Sequence, residues 1–293
     1  MSERSILVGL IGRNIQNSLS PALHEDAFAA ARLRGYYHLM DLDLLTGRSL
    51  PDLIAAIRAA GFAGINVTYP FKEAVLPLLD DMTPEARQIG AVNTVTIASD
   101  GRTLGHNTDR VGFRRSFEET IGRAAIADKN VALVGAGGAG RAVAFALLDL
   151  GAASVAIHDT DRARAAALVA GLMEHCGGAR GRLIEDPDAE LPAASGIVNA
   201  TPVGMIGVPG IPVAPGLVRR HHWVADVIYT PLETELIKAA LAKGARVLTG
   251  GGMSVHQVVA AFHLFTGIVP DVERVRRTFA TVTAERMAGA AAG

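Results

Sequence analysis

Gly135, Gly137 and Gly140 stand at G-x-G-x-x-G spacing, directly after the apolar run Val131–Val134 and ahead of a helical pattern from Arg141 to Leu150. In such a turn the first glycine makes the bend, the second lets backbone amides approach a pyrophosphate, and the third lets the new helix lie close on its strand. The helix N-terminus beyond it carries unpaired N–H groups and a partial positive charge, so an anion is favoured there without a basic side chain. A second apolar strand, SVAIHD at 154–159, ends on Asp159, about 20 residues after the turn. A carboxylate at that point accepts hydrogen bonds from the ribose hydroxyls of NAD, although it is equally suited to cap the following helix.

Proton-transfer and hydroxyl-binding groups are spread more widely. Lys72 and Thr68 follow a short strand, Gly64–Thr68, where ligands bind in open α/β sheets, with Lys72 at the start of a helix. Taken alone, Lys72 reads as a solvated lysine. Ser18 and Ser20 precede Pro21, which reads as a first helical residue with Ser20 as N-cap of a helix to about Arg34. Asn93 and Asp109 flank an expected hairpin turning at Ser99-Asp100-Gly101, and Asp109 also reads as a cap for the helix Arg110–Thr120. Tyr229 closes the strand 223–229, Pro231 starts a helix to about Lys243, and Gln257 falls on the first turns of a final helical region from Ser254 to about Ala288.

Strands alternating with helices along 293 residues predict two α/β domains, with a connection at 122–130 leading into the nucleotide half. Lys plus Arg (28) nearly balance Asp plus Glu (29), which leaves no electrostatic footprint for nucleic acid. No apolar run is long enough to span a bilayer, and no membrane partner is expected. Cys176 is the one cysteine, so neither an internal disulfide nor a cysteine metal site is available, no metal is expected, and a cytoplasmic setting fits.

The motifs NSLSP at 17–21, NVTYPFK at 66–72, GAVNTV at 90–95, HNTD at 106–109 and GAGGAG at 135–140 together resemble the shikimate dehydrogenase family. NATPVGM at 199–205, DVIYTPLET at 226–234 and GGGMSVHQ at 250–257 continue the match in order, nearly end to end. The resemblance implies a substrate-binding domain formed by residues 1–109 with the C-terminal region 254–293. It also implies a Rossmann domain at 110–253, with the active site in the cleft between the two.

It further implies Lys72 and Asp109 as the catalytic pair, Ser18, Ser20 and Tyr229 on the substrate carboxylate, and Thr68, Asn93, Asp109 and Gln257 on the ring hydroxyls. Hydroxyl and amide groups suit a polyol, because an inverted or missing hydroxyl leaves a site group unpaired. The dinucleotide would meet Gly135, Ala136, Gly137, Gly138, Ala139 and Gly140, then Asp159, Arg164, Thr201, Pro202, Met205, Val227, Gly250 and Met253. NADP-type members carry Asn-Arg-Thr where this chain has His158-Asp159-Thr160, so the resemblance points to the NAD-using quinate/shikimate branch. Arg162 and Arg164 keep NADP open, since an arginine can pair with a 2′-phosphate. The expected activity is reversible oxidation of shikimate or quinate to the 3-dehydro ketone, by a monomer or homodimer. The alternatives are an NADP-linked biosynthetic enzyme and a non-catalytic sensor of the same metabolites.

Overall fold

The computed structural model describes residues 5–178 and 180–292, which divide into two compact units, Met1–Thr108 with Val255–Gly293, and Asp109–Ser254. In the first unit β1 (Ile6–Gly12), α1 (Ser20–Ala30), β2 (Gly35–Asp41), α2 (Leu50–Ala59) and β3 (Gly64–Val67) form a βαβαβ start. After β4 (Asp81–Met82) and α3 (Pro84–Ile89), the hairpin of β5 (Thr94–Ile97) and β6 (Thr103–His106) completes a mixed sheet of order β2-β1-β3-β5-β6-β4. The hairpin turns at Gly101, whose φ of 82° is the left-handed conformation that its Asp-Gly signal demands. Alternation along β1 sends Val8 and Leu10 to one buried face and Ile11 to the other, where it meets Leu53, Ile54 and Ile57 of α2.

Several local expectations change here. Leu19, not Ser20, occupies the N-cap of α1, and the Ser18 hydroxyl accepts the Ser20 N–H at 3.2 Å. That helix stops at Ala30 because Arg32 takes φ +55°, four residues short of Arg34. Lys72 lies in a turn rather than at a helix start; the nearest helical residues are the short 3-10 stretch Leu76–Leu78.

The chain enters the second unit through α4 (Thr108–Thr120), where Asp109 is the second helical residue and not a cap. Then come β7 (Asn130–Val134), α5 (Gly138–Asp149), β8 (Ser154–His158), α6 (Arg162–Cys176), β9 (Gly181–Leu183), α7 (Pro187–Ala193), β10 (Gly196–Asn199), β11 (Trp223–Asp226), α8 (Glu235–Ala242) and β12 (Arg246–Leu248). All six strands are parallel in the order β12-β11-β10-β7-β8-β9, the doubly wound arrangement. Strand order reverses beside β7, with β8 and β9 added on one side and β10 to β12 on the other, so the glycine turn after β7 sits at the switch point where such sheets bind ligands.

β11 ends at Asp226, three residues before Tyr229, which lies in a loop. The Thr230–Pro231 bond is cis, and α8 starts later, with Thr234 as its cap. The helical region expected from Ser254 begins four residues earlier, at the glycine run that forms the first turn of α9 (Gly250–Thr266). The final region is therefore two helices, α9 and α10 (Val272–Ala292), parted at Gly267 by φ +75°. No described helix is long and apolar enough to cross a membrane.

Candidate functional site

In the second unit, Gly135 has φ +102°, and a Cβ there would come within 2.7 Å of the Ala200 carbonyl carbon. A Cβ on Gly140 would lie 2.0 Å from the Gly135 carbonyl oxygen, so α5 packs on the turn only because Gly140 lacks one. Nothing lies within 4 Å of the corresponding point on Gly137, the N-cap of α5, and no side chain bonds to the amides of that helix end. The result is an open cradle of backbone N–H groups built by Gly137, Gly138 and Ala139, shaped for a dinucleotide's phosphates.

Asp159 faces the same turn. Its Oδ2 accepts the Ala136 N–H at 2.7 Å and its Oδ1 accepts the Asp161 N–H at 2.8 Å. The cap of α6 is Asp161, which accepts the Arg164 N–H, so Asp159 is not the helix cap. Asp159 also borders a small cavity of about 120 Å³ with Arg162, Leu183, Ile184 and Glu185. The Arg164 side chain is exposed, while Arg162 donates to Glu185. A carboxylate at the strand end beside an open amide cradle fits an unphosphorylated adenosine ribose, the NAD type.

The loops beyond β10 and β11 are joined by a buried network that motif reading missed. Asp226 Oδ1 accepts from Asn199 Nδ2 at 3.1 Å and from Ile228 N–H at 3.0 Å, while Oδ2 accepts the Thr234 hydroxyl at 2.7 Å. Asn199 Oδ1 in turn accepts both the N–H and the hydroxyl of Thr201. Burial raises the Asp226 carboxyl to about 6 against the lowering effect of these three donors. Thr201, Pro202 and Met205 thus sit on a loop anchored to β11, and the Val227 N–H reaches the Asn199 carbonyl at 3.0 Å. Gly250 N–H reaches the Ile228 carbonyl at 3.2 Å, Met253 is buried, and Tyr229 is half-buried. Asp109 is wholly buried.

In the first unit a second polar network surrounds the end of β3. Asn93 donates to the Thr108 hydroxyl at 2.9 Å and accepts the Thr108 N–H at 2.8 Å. Asn66, from β3, donates to the Asn93 carbonyl and the Thr94 hydroxyl, and accepts the Tyr37 hydroxyl at 2.9 Å. Asn66, Tyr37 and Thr108 were not singled out in the sequence, and they fix Asn93 by donor and acceptor matching. Thr68, half-buried, is held through its N–H on the Ile11 carbonyl, and the Lys72 carbonyl accepts the Val92 N–H at 2.8 Å.

Ser18 is buried, and its loop is gripped twice. Asp41, at the end of β2, accepts the N–H groups of Asn14 and Ile15 and the Gln16 amide. From the far end of the chain, the Arg286 guanidinium on α10 donates to the carbonyls of Asn17 and Ser18. Ser20 and Gln257 are half-buried, on α1 and α9. No motif pointed to Arg286, because its partners are backbone oxygens that leave no sequence signal.

Residues 10–95 match the model of the shikimate dehydrogenase substrate binding domain. A quinate/shikimate dehydrogenase (NAD(+)) of Corynebacterium efficiens is 47% identical over 286 residues, spanning 95% of this chain and 99% of that protein. The chain belongs to the shikimate dehydrogenase family. A shikimate dehydrogenase (NADP(+)) of Streptomyces avermitilis is 48% identical, over 94% of this chain and 95% of its own. Among solved structures of the family, quinate dehydrogenase from Corynebacterium glutamicum in complex with NAD superposes with a TM-score of 0.87 at 43% identity, covering 94% of this chain and 99% of that one. The two-domain α/β architecture is the one this family shares.

Proposed function

We propose that the chain is a cytoplasmic dehydrogenase that oxidises a ring hydroxyl of shikimate or quinate to the 3-dehydro ketone, reversibly and with NAD. The observation that carries this reading is the Asp159 carboxylate, tied to Ala136 within the glycine turn of a family member. Residues 1–109 with 254–293 bind the substrate, and 110–253 bind the cofactor. Bound NAD supplies the hydride acceptor. The glycine turn from Gly135 to Gly140 holds its phosphates on the amides of Gly137, Gly138 and Ala139, Asp159 its adenosine ribose, and the chain around Thr201, Pro202, Met205, Val227, Gly250 and Met253 its nicotinamide end.

Lys72 Nζ takes the proton of the reacting hydroxyl and returns it when the ketone is reduced, and Asp109 orients that hydroxyl and the lysine. Ser18, Ser20 and Tyr229 hold the substrate carboxylate. Thr68, Asn93 and Gln257 hold the other hydroxyls, and the Asn66–Asn93–Thr108 network supports Asn93 in a single orientation. Steady-state assays of shikimate and quinate, each with NAD and with NADP, test the proposal through formation of reduced nicotinamide. Turnover with NAD supports it; binding of either acid without turnover would make the protein a sensor, and turnover with NADP alone would reassign the cofactor.

A further inference from the structure

We infer that Glu185 is a second cofactor-specificity residue, which selects against a 2′-phosphate by engaging Arg162. The inference rests on the proposed use of NAD and extends it to a residue outside every motif. Arg162 is the first residue of α6, three positions beyond Asp159, and its guanidinium borders the same cavity as Asp159, where a cation can pair with a 2′-phosphate. Glu185 follows β9, the neighbouring strand, and both its carboxylate oxygens face the same guanidinium nitrogen, at 2.7 and 2.8 Å. Asp159, Arg162 and Glu185 all border the cavity of about 120 Å³ at the carboxyl ends of β8 and β9. The three charges sum to −1 there, so a dianionic phosphate meets a surplus of negative charge and an arginine already satisfied.

The Glu185 backbone is fixed as well, since its N–H donates to Glu190 Oε1 at 2.7 Å, and Arg182 pairs with Glu190. The carboxylate is therefore presented to Arg162 from a braced loop. Pairing with Arg162 holds the Glu185 carboxyl below the usual range, consistent with a charge present throughout neutral pH. Both side chains are 65% exposed, so water and salt screen the pair and the selection it adds to that of Asp159 is a matter of several-fold.

Isothermal titration with adenosine 2′,5′-bisphosphate and with NAD tests this without turnover. The proteins are Asp159→Asn, in which binding of the phosphate probe is expected to be strengthened, and the same background carrying Glu185→Ala, Arg162→Ala or both. Glu185→Ala is expected to tighten the bisphosphate about five- to tenfold, to change NAD by less than about twofold, and to lose this gain in high salt. Adding Arg162→Ala is expected to abolish the gain. Unchanged bisphosphate affinity in Glu185→Ala, or a gain that survives without Arg162, overturns the inference while leaving NAD use intact. Absence of NAD binding in the natural chain would remove the underlying reading together with it.

Discussion

The carboxylate of Asp159 accepts the amide proton of Ala136 at 2.7 Å, so the end of β8 and the glycine turn after β7 are joined by one charge-assisted bond. A single side chain thus serves the shape of the cradle and, in the proposed reading, the recognition of the ribose.

NAD is expected to be preferred over NADP by a factor on the order of 10² or more, because a 2′-phosphate would face the Asp159 carboxylate and displace its ribose bonds. Asp159→Asn keeps an acceptor oxygen for Ala136, so it should weaken NAD modestly and relieve the penalty on NADP. Comparison of kcat/KM with both cofactors in both proteins measures this. Equal values in the natural chain would refute it.

Lys72→Ala should lower kcat by ~10² to 10⁴ while leaving substrate affinity close to its original value, since recognition is assigned to hydroxyl and amide groups elsewhere. Single-turnover kinetics with shikimate separate the two effects. A near-normal kcat would remove Lys72 from proton transfer.

Arg286→Ala should raise KM for the acid substrate about three- to tenfold and leave KM for NAD unchanged, because Arg286 donates to the Asn17 and Ser18 carbonyls and holds the serine loop in place. Arg286→Lys, which restores a charge but not the forked donors, should recover only part of the loss. An unaltered substrate KM would mean that Asp41 alone fixes the loop.

Stability should respond to pH through two buried groups of opposite sign. Burial raises the Asp226 carboxyl from 3.8 to about 6, so between those values the folded protein keeps a proton that the unfolded chain has released, and stability falls as pH rises, by up to about 3 kcal/mol. Burial lowers the His24 imidazole from 6.5 to about 3, so stability falls as pH drops through that window. Urea denaturation from about pH 4 to about pH 7 should show Asp226→Asn gaining on the natural protein as pH rises. A pH-independent difference would contradict a buried, ionising Asp226.

The glycine turn, the strand before it and the Asp-Gly hairpin were legible because each rests on neighbours in sequence and a steric rule. The last helical region, expected from Ser254, starts instead at Gly250, because three glycines in a row carry no helical signal. A Cβ on Gly250 would lie 2.4 Å from the Val227 carbonyl oxygen, so this glycine serves close approach inside a helix rather than chain freedom. Ser20 is displaced from the cap because Pro21 fits either of the first two helical positions, and the Leu23 N–H bond to the Leu19 carbonyl decides for Leu19. β9 and α7, three and seven residues long, are too short for periodicity to register. Asn199 and Asp226 are far apart in sequence and meet through the parallel pairing of β10 with β11, as Asn66 and Asn93 meet through the antiparallel pairing of β3 with β5. The motifs contained most of these residues, but their bonding could not be read without the pairing of strands.

The first unit is assembled from both ends of the chain, and this orders its birth on the ribosome. Residues 109–254 are continuous and can fold as soon as they emerge, whereas the cluster of Val8, Phe28 and Tyr37 must wait for Phe262 and Phe265 of α9. The half that emerges first is therefore the half completed last. Until α9 arrives, the face of β1 and β2 that α1 partly covers lacks Ala261, Phe262 and Phe265, and until α10 follows, the serine loop lacks its Arg286 grip. A chain cut short after residue 254 would carry a finished glycine cradle and an unfinished first unit, and on the proposed reading it would bind a dinucleotide without being able to use it.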